Sequence, residues 1–224
     1  MAFELPYPFF FLLLLQILPF SIIAQTYNNI SLGSSLTTKD NNNSVWCSPS
    51  GEFAFGFQKI GSDVWSANGN NLVLTAHGQL MLNDIATGKQ KWIADFGGTG
   101  VAYVAMLDTG NFVLANRNLN NLRESFDQPT DTILPTQTLK LNNTLLASYT
   151  ASNYSRGRFQ FALQSDGALL LYTTNFPLDT LNYVYWSTHT EGSGFEVIFN
   201  HSGSIYLTAT NGSILYIHVV HCLC

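Results

Sequence analysis

The sequence has few charged residues and no run of basic ones. Lysine and arginine together number nine among 224 residues, and the formal net charge is -5 at pH 7. Proteins that bind nucleic acid neutralise its phosphates with clustered cations, so this composition argues against a nucleic-acid partner. Because 46% of the residues are hydrophobic and only 10% are charged, the chain is predicted to be globular rather than disordered.

Cysteine is also scarce, and the sequence motifs of common enzymes are missing. Cys47, Cys222 and Cys224 are an odd number of thiols, so no complete disulfide framework can be assigned. The tail HVVHCLC contains two His and two Cys, but its cysteines are closer together than the usual zinc pairs. No G-x-S-x-G, H-E-x-x-H or HRD string occurs. We therefore predict a protein with no catalytic residues, no kinase domain, no cofactor and no metal.

An apolar run, FFFLLLLQILPFSIIA, extends from Phe9 to Ala24 and is followed by the polar string QTYNN. This pattern is typical of a cleaved secretory signal peptide over residues 1–24, although no Lys or Arg precedes the apolar run. The alternative is a membrane anchor, but the run is shorter than the about 20 residues that a spanning helix needs. We expect a secreted or extracellular chain with no membrane span in its mature form.

Asparagine occurs repeatedly in the N-x-S/T pattern that directs N-glycosylation. In a secreted chain such sequons mark candidate glycans on exposed loops. The predicted sites are Asn29, Asn42, Asn142, Asn153, Asn200 and Asn211.

One template recurs along the chain, with apolar residues six and four positions before a glycine and two and four positions after it. Apolar residues that repeat at intervals of two indicate strands and not helices. In each copy a three-residue turn ends with the glycine, which adopts a positive φ without a Cβ penalty. The copies are centred on Gly51, Gly78, Gly110, Gly167 and Gly203, with a weaker one on Gly212.

The spacing of the template also predicts which side chains share a face. In FALQSDGALLLY the register pairs Leu163 with Leu169, so that the flanking aliphatic residues point together into a core. The same arithmetic at Gly51 places Cys47 on the inward face, where a free thiol behaves as a small hydrophobe. Several short strands with turn signals predict an all-β fold.

Four strings carry a resemblance to a known family: SPSGEFAFGF, VWSAN, AMLDTGNFVL and SFDQPTDTILPTQTL. In these strings the sequence is similar to the ectodomain of plant G-type lectin S-receptor-like serine/threonine-protein kinases. That family carries bulb-type, monocot mannose-binding lectin domains. The resemblance implies a β-prism II fold, with three small sheets around a pseudo-threefold axis. It further implies two tandem prisms, at residues 25–145 and 146–224. The first would be shortened between GFQ and VWSAN, and the second would be incomplete, the chain being truncated before the transmembrane and kinase regions.

The resemblance also implies a mannose site with the motif Q-x-D-x-N-x-V-x-Y, in which the polar groups bind ring hydroxyls. Laid on this chain, the motif gives Gln164, Asp166, Ala168, Leu170 and Tyr172. Ala168 stands where the family has Asn, and a hydroxyl left unpaired costs about 1 to 3 kcal/mol. We predict weak or degenerate binding through Gln164, Asp166, Leu170 and Tyr172. The alternative is a β-hairpin in which Asp166 and Gly167 are only turn residues.

The other hairpins match the motif less well, so we expect no sugar site in them. At Gly110 the chain keeps Asn111 and Val113 but has Leu107, Thr109 and Ala115 at the other positions, and at Gly78 it has Thr75, His77, Gln79, Met81 and Asn83. The predicted partner is a mannose-type glycan or glycoprotein. The alternative is a non-catalytic protein-interaction module that binds no sugar, with a receptor ectodomain as its partner.

Overall fold

The structure is a computed structural model, and it describes residues 28–38, 44–57, 59–60, 64–65, 70–94, 100–150, 153–175 and 180–219. The regular structure in these residues consists of β-strands and one 3-10 helix, Ser125–Asp127. The predicted all-β fold class is confirmed. The signal peptide predicted at 1–24 and the sequon at Asn42 lie outside the described residues.

The strands of the first unit form two four-stranded sheets and two smaller ones. The sheets have the strand orders β1-β10-β11-β12, β2-β7-β8-β9, β3-β4 and β5-β6, with antiparallel pairing throughout. The strands are β1 Ile30–Ser31, β2 Ser35–Thr37, β3 Val45–Cys47, β4 Ala54–Gly56, β5 Lys59–Ile60, β6 Val64–Trp65, β7 Asn70–Leu74, β8 Leu80–Asp84, β9 Gln90–Ala94, β10 Tyr103–Met106, β11 Phe112–Ala115 and β12 Asn121–Glu124.

Three of these sheets surround one core. Leu74 from β7 and Val104 from β10 are fully buried in it, and Trp46 from β3 packs against it. Phe55 of β4 stacks on Phe112 of β11 with ring centroids 4.0 Å apart. The β3–β4 hairpin therefore forms the third side of a prism, as the predicted fold requires.

The second unit has two four-stranded sheets, in the orders β14-β15-β16-β17 and β13-β18-β19-β20. Its strands are β13 Thr138–Lys140, β14 Thr144–Thr150, β15 Asn153–Leu163, β16 Leu169–Asn175, β17 Thr180–Ser187, β18 Glu196–Phe199, β19 Ser204–Thr208 and β20 Ile214–Val219. Between the sheets lies a core of Leu139, Leu145, Leu163, Leu169, Val197 and Leu207. The domain boundary at residue 145 stays a prediction, and β13, which precedes it, pairs with β18.

The predicted positive φ is confirmed at every glycine of the template, and the three-residue turn is confirmed at each of them except Gly51. All six glycines of the template have φ between 77° and 86°. In each turn the glycine N–H donates a hydrogen bond to the carbonyl oxygen three residues earlier, as from Gly167 to Gln164 at 3.0 Å. The predicted pair of Leu163 and Leu169 is present in the β15–β16 register, and both side chains are buried.

The prediction that Cys47 lies in the core is wrong. Cys47 pairs with Ala54, not with Phe53, and it is exposed, whereas Trp46 packs inward. Ser48 N–H donates to the carbonyl of Phe53, so this connection is longer than the three-residue turns of the other hairpins. Because strand side chains alternate between faces, the shift of one residue turns Cys47 outward.

The turn at Gly167 is tightly packed against a second glycine. A Cβ atom added to Gly167 would lie 2.5 Å from the carbonyl oxygen of Gly194 and 2.7 Å from its nitrogen. Gly212 has nearly the same φ, but a Cβ there would meet nothing within 4 Å. The two positions therefore separate the cost of the backbone conformation from the cost of the contact.

We expect Gly212→Ala to lower the free energy of unfolding by about 1 kcal/mol, because alanine must then adopt a left-handed conformation. Gly167→Ala should cost about 3 kcal/mol or more, because backbone atoms of Gly194 must also move. Urea unfolding followed by tryptophan fluorescence measures both values. Equal losses for the two variants would contradict the packing described at Gly167.

Asp108 joins two hairpin turns of the first unit. Its Oδ1 atom accepts a hydrogen bond from the backbone N–H of Ser50 at 2.8 Å. This bond, together with the hydroxyls of Ser50 and Ser48, lowers the pKa of the Asp108 carboxyl from its ordinary value. The ionised form is therefore favoured in the folded protein.

A lowered pKa in the folded state stabilises the protein above the unfolded-state pKa, and this stabilisation is lost as the pH falls through the folded-state pKa. Asp108→Asn should therefore lower the denaturation midpoint at pH 7 and have a smaller effect at about pH 3, which lies below the ordinary pKa of an Asp carboxyl in an unfolded chain. Urea midpoints of both proteins at the two pH values test this. A difference that stays constant or grows towards low pH would contradict it.

Candidate carbohydrate-binding site

The candidate site lies at the tip of the β15–β16 hairpin, whose turn fixes the position of Asp166. Gln164 N–H donates to the carbonyl of Ala168 at 2.9 Å, and Ala168 N–H donates to Oδ1 of Asp166 at 2.9 Å. The Asp166 side chain therefore helps to close its own turn, as the alternative hypothesis predicts. A carboxylate has about four acceptor positions, so Asp166 can still accept hydrogen bonds from a ligand.

A loop from the end of β17 holds this hairpin tip in place. The Thr190 hydroxyl donates to the carbonyl of Gly167 at 2.8 Å, and Gly192 N–H donates to the carbonyl of Asp166. Thr188 and Thr190 share a hydrogen bond between their hydroxyls at 2.7 Å. These contacts fix the backbone under the exposed Asp166 carboxylate before any ligand arrives.

The two faces of the hairpin differ in what they pack against. Leu169 and Leu171 point towards the core, and Ala168 and Leu170 alternate with them on the opposite face. On that face Ala168 is 2% exposed and Leu170 is 8% exposed. The predicted Gln164 and Tyr172 are half-buried beside them. Gln164 and Tyr172 therefore flank two apolar side chains that are almost wholly covered by the protein.

Tyr172 makes a contact that the motif does not predict. Its hydroxyl donates to Oε1 of Gln160 at 2.9 Å, and Nε2 of Gln160 donates to the Thr174 hydroxyl at 3.3 Å. Gln160 is 5% exposed, so this network orients the phenol ring. The signal for it was present in the sequence, since extending the Leu163–Leu169 register pairs Gln160 with Tyr172.

The predicted residues lie along the hairpin and do not converge on a single point. Gln164 is opposite Ala168 at the turn, while Tyr172 is four residues further along β16. Four residues of a strand span about 13 Å, so the Cα atoms of Ala168 and Tyr172 are about that far apart. Tyr172 can therefore reach a sugar at the turn only through the length of its own side chain.

At Gly110 the corresponding asparagine is part of the internal structure. Asn111 is 5% exposed, and its Nδ2 donates to Oε2 of Glu124 at 2.8 Å. Its Oδ1 accepts from the Ser125 hydroxyl at 3.1 Å and from the Phe126 N–H at 3.2 Å. The side chain that the family directs at a sugar here anchors the segment SFDQPTDTILPTQ to β11. Sequence reasoning identified this segment as characteristic but not its contact with Asn111.

The Gly78 hairpin likewise uses its polar residues in the turn. The Thr75 hydroxyl accepts from the N–H of Gln79 at 3.0 Å, and His77 lies exposed at the tip. This arrangement supports the expectation that no sugar site forms there, which stays a prediction.

The described residues bring together no three His, Cys, Asp or Glu side chains that could hold a metal ion. The tail residues His221, Cys222 and Cys224 lie outside those residues. None of the helical structure in the described part of the chain has the length and apolarity that a bilayer crossing requires.

Comparison with known proteins agrees with the prism and its hairpins. Residues 62–154 match the family model of the D-mannose binding lectin domain. This stretch of the chain is thus similar to a bulb-type lectin domain. The chain is 39% identical over 241 aligned positions to the G-type lectin S-receptor-like serine/threonine-protein kinase LECRK2 of Oryza sativa subsp. indica, covering 92% of this chain and 29% of that protein. It is 32% identical to the kinase RLK1 of Arabidopsis thaliana, covering 90% of this chain and 29% of that protein.

These matches relate the chain to the G-type lectin S-receptor-like kinases and confirm the resemblance found in the sequence. The chain spans about 29% of the length of these relatives, and the match lies in their lectin region and not in their kinase domain.

Among solved structures, the mannose-specific agglutinin of snowdrop (Galanthus nivalis) is 17% identical, with 66% of this chain and 91% of that chain covered and a TM-score of 0.24. The fetuin-binding agglutinin of Scilla campanulata, a two-domain lectin, is 14% identical, with 66% and 76% covered and a TM-score of 0.23. Superpositions with such low TM-scores do not define the fold, which rests on the strand pairing and the shared cores described above.

Proposed function

We propose that the chain is an extracellular carbohydrate-binding module that takes mannose-type glycans weakly at the β15–β16 hairpin. The observation that carries the proposal is the fixed hairpin tip, where Asp166 is exposed beside the buried Ala168 and Leu170. An exposed carboxylate suits a pyranose ring, which carries hydroxyls on its rim. The match to the D-mannose binding lectin model supports this class of ligand.

Each residue of the proposed site has a separate chemical role. Asp166 accepts hydrogen bonds from sugar hydroxyls, and Gln164 both donates and accepts. Leu170, which is 8% exposed, offers only a small apolar contact to the sugar carbons. Tyr172 donates its hydroxyl proton to Gln160, so it meets a ligand as an acceptor.

Two features make the proposed binding weak. Ala168 supplies no amide, and an unpaired hydroxyl costs about 1 to 3 kcal/mol, which corresponds to one or two decades of affinity. The tyrosine hydroxyl must also keep or exchange its bond to Gln160 when it contacts a ligand. We expect dissociation constants for monosaccharides in the millimolar range, at about -4 kcal/mol.

The extracellular location that we propose follows from the predicted signal peptide and from the receptor-like kinases to which the chain is similar. Within the described residues Asn29, Asn142, Asn153 and Asn211 are exposed, as N-linked glycans require. Asn200 is half-buried, and its side-chain oxygen accepts hydrogen bonds from Ser202 and Ser204. We propose the exposed asparagines as glycan sites and Asn200 as the poorest acceptor among the described ones.

A titration of the secreted chain with methyl α-mannoside and oligomannose tests the proposed site. Binding is measured from the chemical shifts of the backbone amides. We expect saturable shifts in the millimolar range that are lost in Gln164→Ala and in Asp166→Asn. The asparagine variant keeps the oxygen that closes the turn and removes only the charge. His77→Ala changes the corresponding tip position of the Gly78 hairpin and is the matched control, which should bind as the unaltered protein does.

Galactose should give no shifts, since the proposal is specific to mannose-type sugars. The absence of saturable binding, or equal binding by the Asp166→Asn variant, would contradict the proposed function. Thermal unfolding of each variant checks that a loss of binding is not a loss of the fold.

A further inference from the structure

A groove lies beside β14, outside the candidate sugar site. Its volume is about 380 Å³, within the range of roughly 300 to 1,000 Å³ that is usual for small-molecule sites. β14, the start of β15 and the segment that precedes β13 form its walls. The residues that line it include Pro129, Thr130, Asp131, Ser148, Ser155 and Arg156. We call it the Asp131 groove.

Hydrogen bonds hold the segment at Asp131 against β14. The N–H of Leu146 donates to the carbonyl of Thr130 at 2.7 Å. Oδ2 of Asp131 accepts from the Ser148 hydroxyl at 3.1 Å. Oδ1 of Asp131 accepts from the hydroxyls of Thr132 and Thr130 at 3.1 and 3.3 Å. The walls of the groove are therefore fixed before a ligand binds, which lowers the entropy that binding costs.

The pairing of β14 with β15 is irregular where it borders the groove. The register shifts between Leu146 and Ser148 and again between Ser148 and Thr150. A Cβ atom added to Gly157 would lie 2.6 Å from the carbonyl oxygen of Ala147 and 2.9 Å from that of Ser148, so glycine allows the two strands to come this close. β-Bulges are frequent beside functional sites because they change the direction of side chains, and the Asp131 groove lies at this irregularity.

The polar groups of the Asp131 groove suit a neutral ligand that carries hydroxyls. Asp131 and Arg156 are the charged residues that line it, and their charges cancel. The carboxylate accepts hydrogen bonds, the guanidinium has several N–H donors, and the hydroxyls of Thr130, Ser148 and Ser155 can do both. A phosphate or a metal ion would meet one group of its own charge, whereas a sugar hydroxyl can donate to Asp131 or accept from Arg156.

The predicted glycan site at Asn153 lies next to the groove. Asn153 is exposed, and its sequon ends with Ser155, which lines the groove. Because residues two positions apart in a strand point to the same side, Asn153 and Ser155 share a face of β15. Oδ1 of Asn153 accepts from the N–H of Ser155 at 3.0 Å, which orients the amide that would carry the glycan. A glycan on Asn153 therefore starts beside the groove.

We propose that the Asp131 groove binds the N-linked glycan of Asn153 in the same chain. N-linked glycans begin with chitobiose, a neutral disaccharide of N-acetylglucosamine, and this is the part that the groove takes. A tethered ligand has an effective concentration in about the millimolar range, so the groove is occupied even if it binds free chitobiose weakly. The inference rests on the proposed glycosylation of Asn153 and not on mannose binding at the β15–β16 hairpin.

A titration of the full secreted chain with Asn153→Gln, which carries no glycan at this position, tests the groove with free chitobiose. We expect saturable shifts of the backbone amides of Thr130, Ser148 and Arg156, with a dissociation constant in about the millimolar range. Adding Asp131→Asn or Arg156→Gln should weaken this binding by roughly tenfold or more, because each removes a charged hydrogen-bonding group. Urea midpoints show whether each variant still folds.

The glycosylated chain distinguishes the tethered glycan from a saccharide in solution. Its groove amides should already have the shifts of the saturated Asn153→Gln variant, and added chitobiose should not change them. Asn211→Gln is the matched control, because Asn211 is also exposed and its Oδ1 accepts from the N–H of its sequon serine, Ser213, at 2.9 Å. Removing that glycan should leave the groove amides as they are.

The absence of saturable shifts at the groove in the Asn153→Gln variant would overturn the proposal, and so would unchanged binding after both Asp131→Asn and Arg156→Gln. A glycosylated chain that responds to chitobiose as the variant does would overturn it as well, because the groove would then be empty of the tethered glycan. Mass spectrometry of the peptide that contains Asn153 must show a glycan, and an unmodified Asn153 would count against the proposal. Loss of mannose binding with an occupied groove would contradict only the proposed function.

Discussion

The hydrogen bond from a glycine N–H to the carbonyl three residues earlier is the constraint on which the whole structure depends. It closes each hairpin of the repeated template, and it requires the positive φ that glycine adopts at little cost. The turn fixes which residues pair, as Leu163 does with Leu169, and the pairing decides which side chains face inward. Both cores and the candidate sugar site follow from this register, because a slip of one residue would exchange the two faces of a strand.

The sequence predicts the architecture to the extent that it predicts these turns. The five turns with three residues follow the spacing of apolar residues and glycines. At Gly51 the spacing is the same, but the connection is longer, and Trp46 rather than Cys47 faces the core. Trp46 gains more by burial than a thiol does, and it stacks on Phe55 of the neighbouring strand and on Phe112, which lies far away in sequence. A local pattern cannot report a packing preference that depends on distant residues.

The candidate site shows the same division between local and distant information. The turn position of Asp166 follows from neighbouring residues, whereas its support by Thr190 and Gly192 depends on a loop that is distant along the chain. Gln160 could have been found by extending the register to Tyr172. The role of Asn111 could not have been found from the sequence, because its partners Glu124 and Ser125 belong to a segment whose path is set by tertiary packing. One template residue thus holds a segment in the first unit, while its counterpart Ala168 lies in the proposed sugar site.

The most direct test of this account is a nuclear Overhauser measurement on the isotopically labelled chain in solution. Leu163 and Leu169 form the pair next to the turn, and a pair of this kind that exchanges no hydrogen bonds has its Cα atoms about 4.5 Å apart. The account predicts a strong contact between the Hα protons of these two residues and a positive φ at Gly167. A strong Hα contact between Leu163 and Leu170 instead, or a negative φ at Gly167, would contradict the register on which the cores and the site depend.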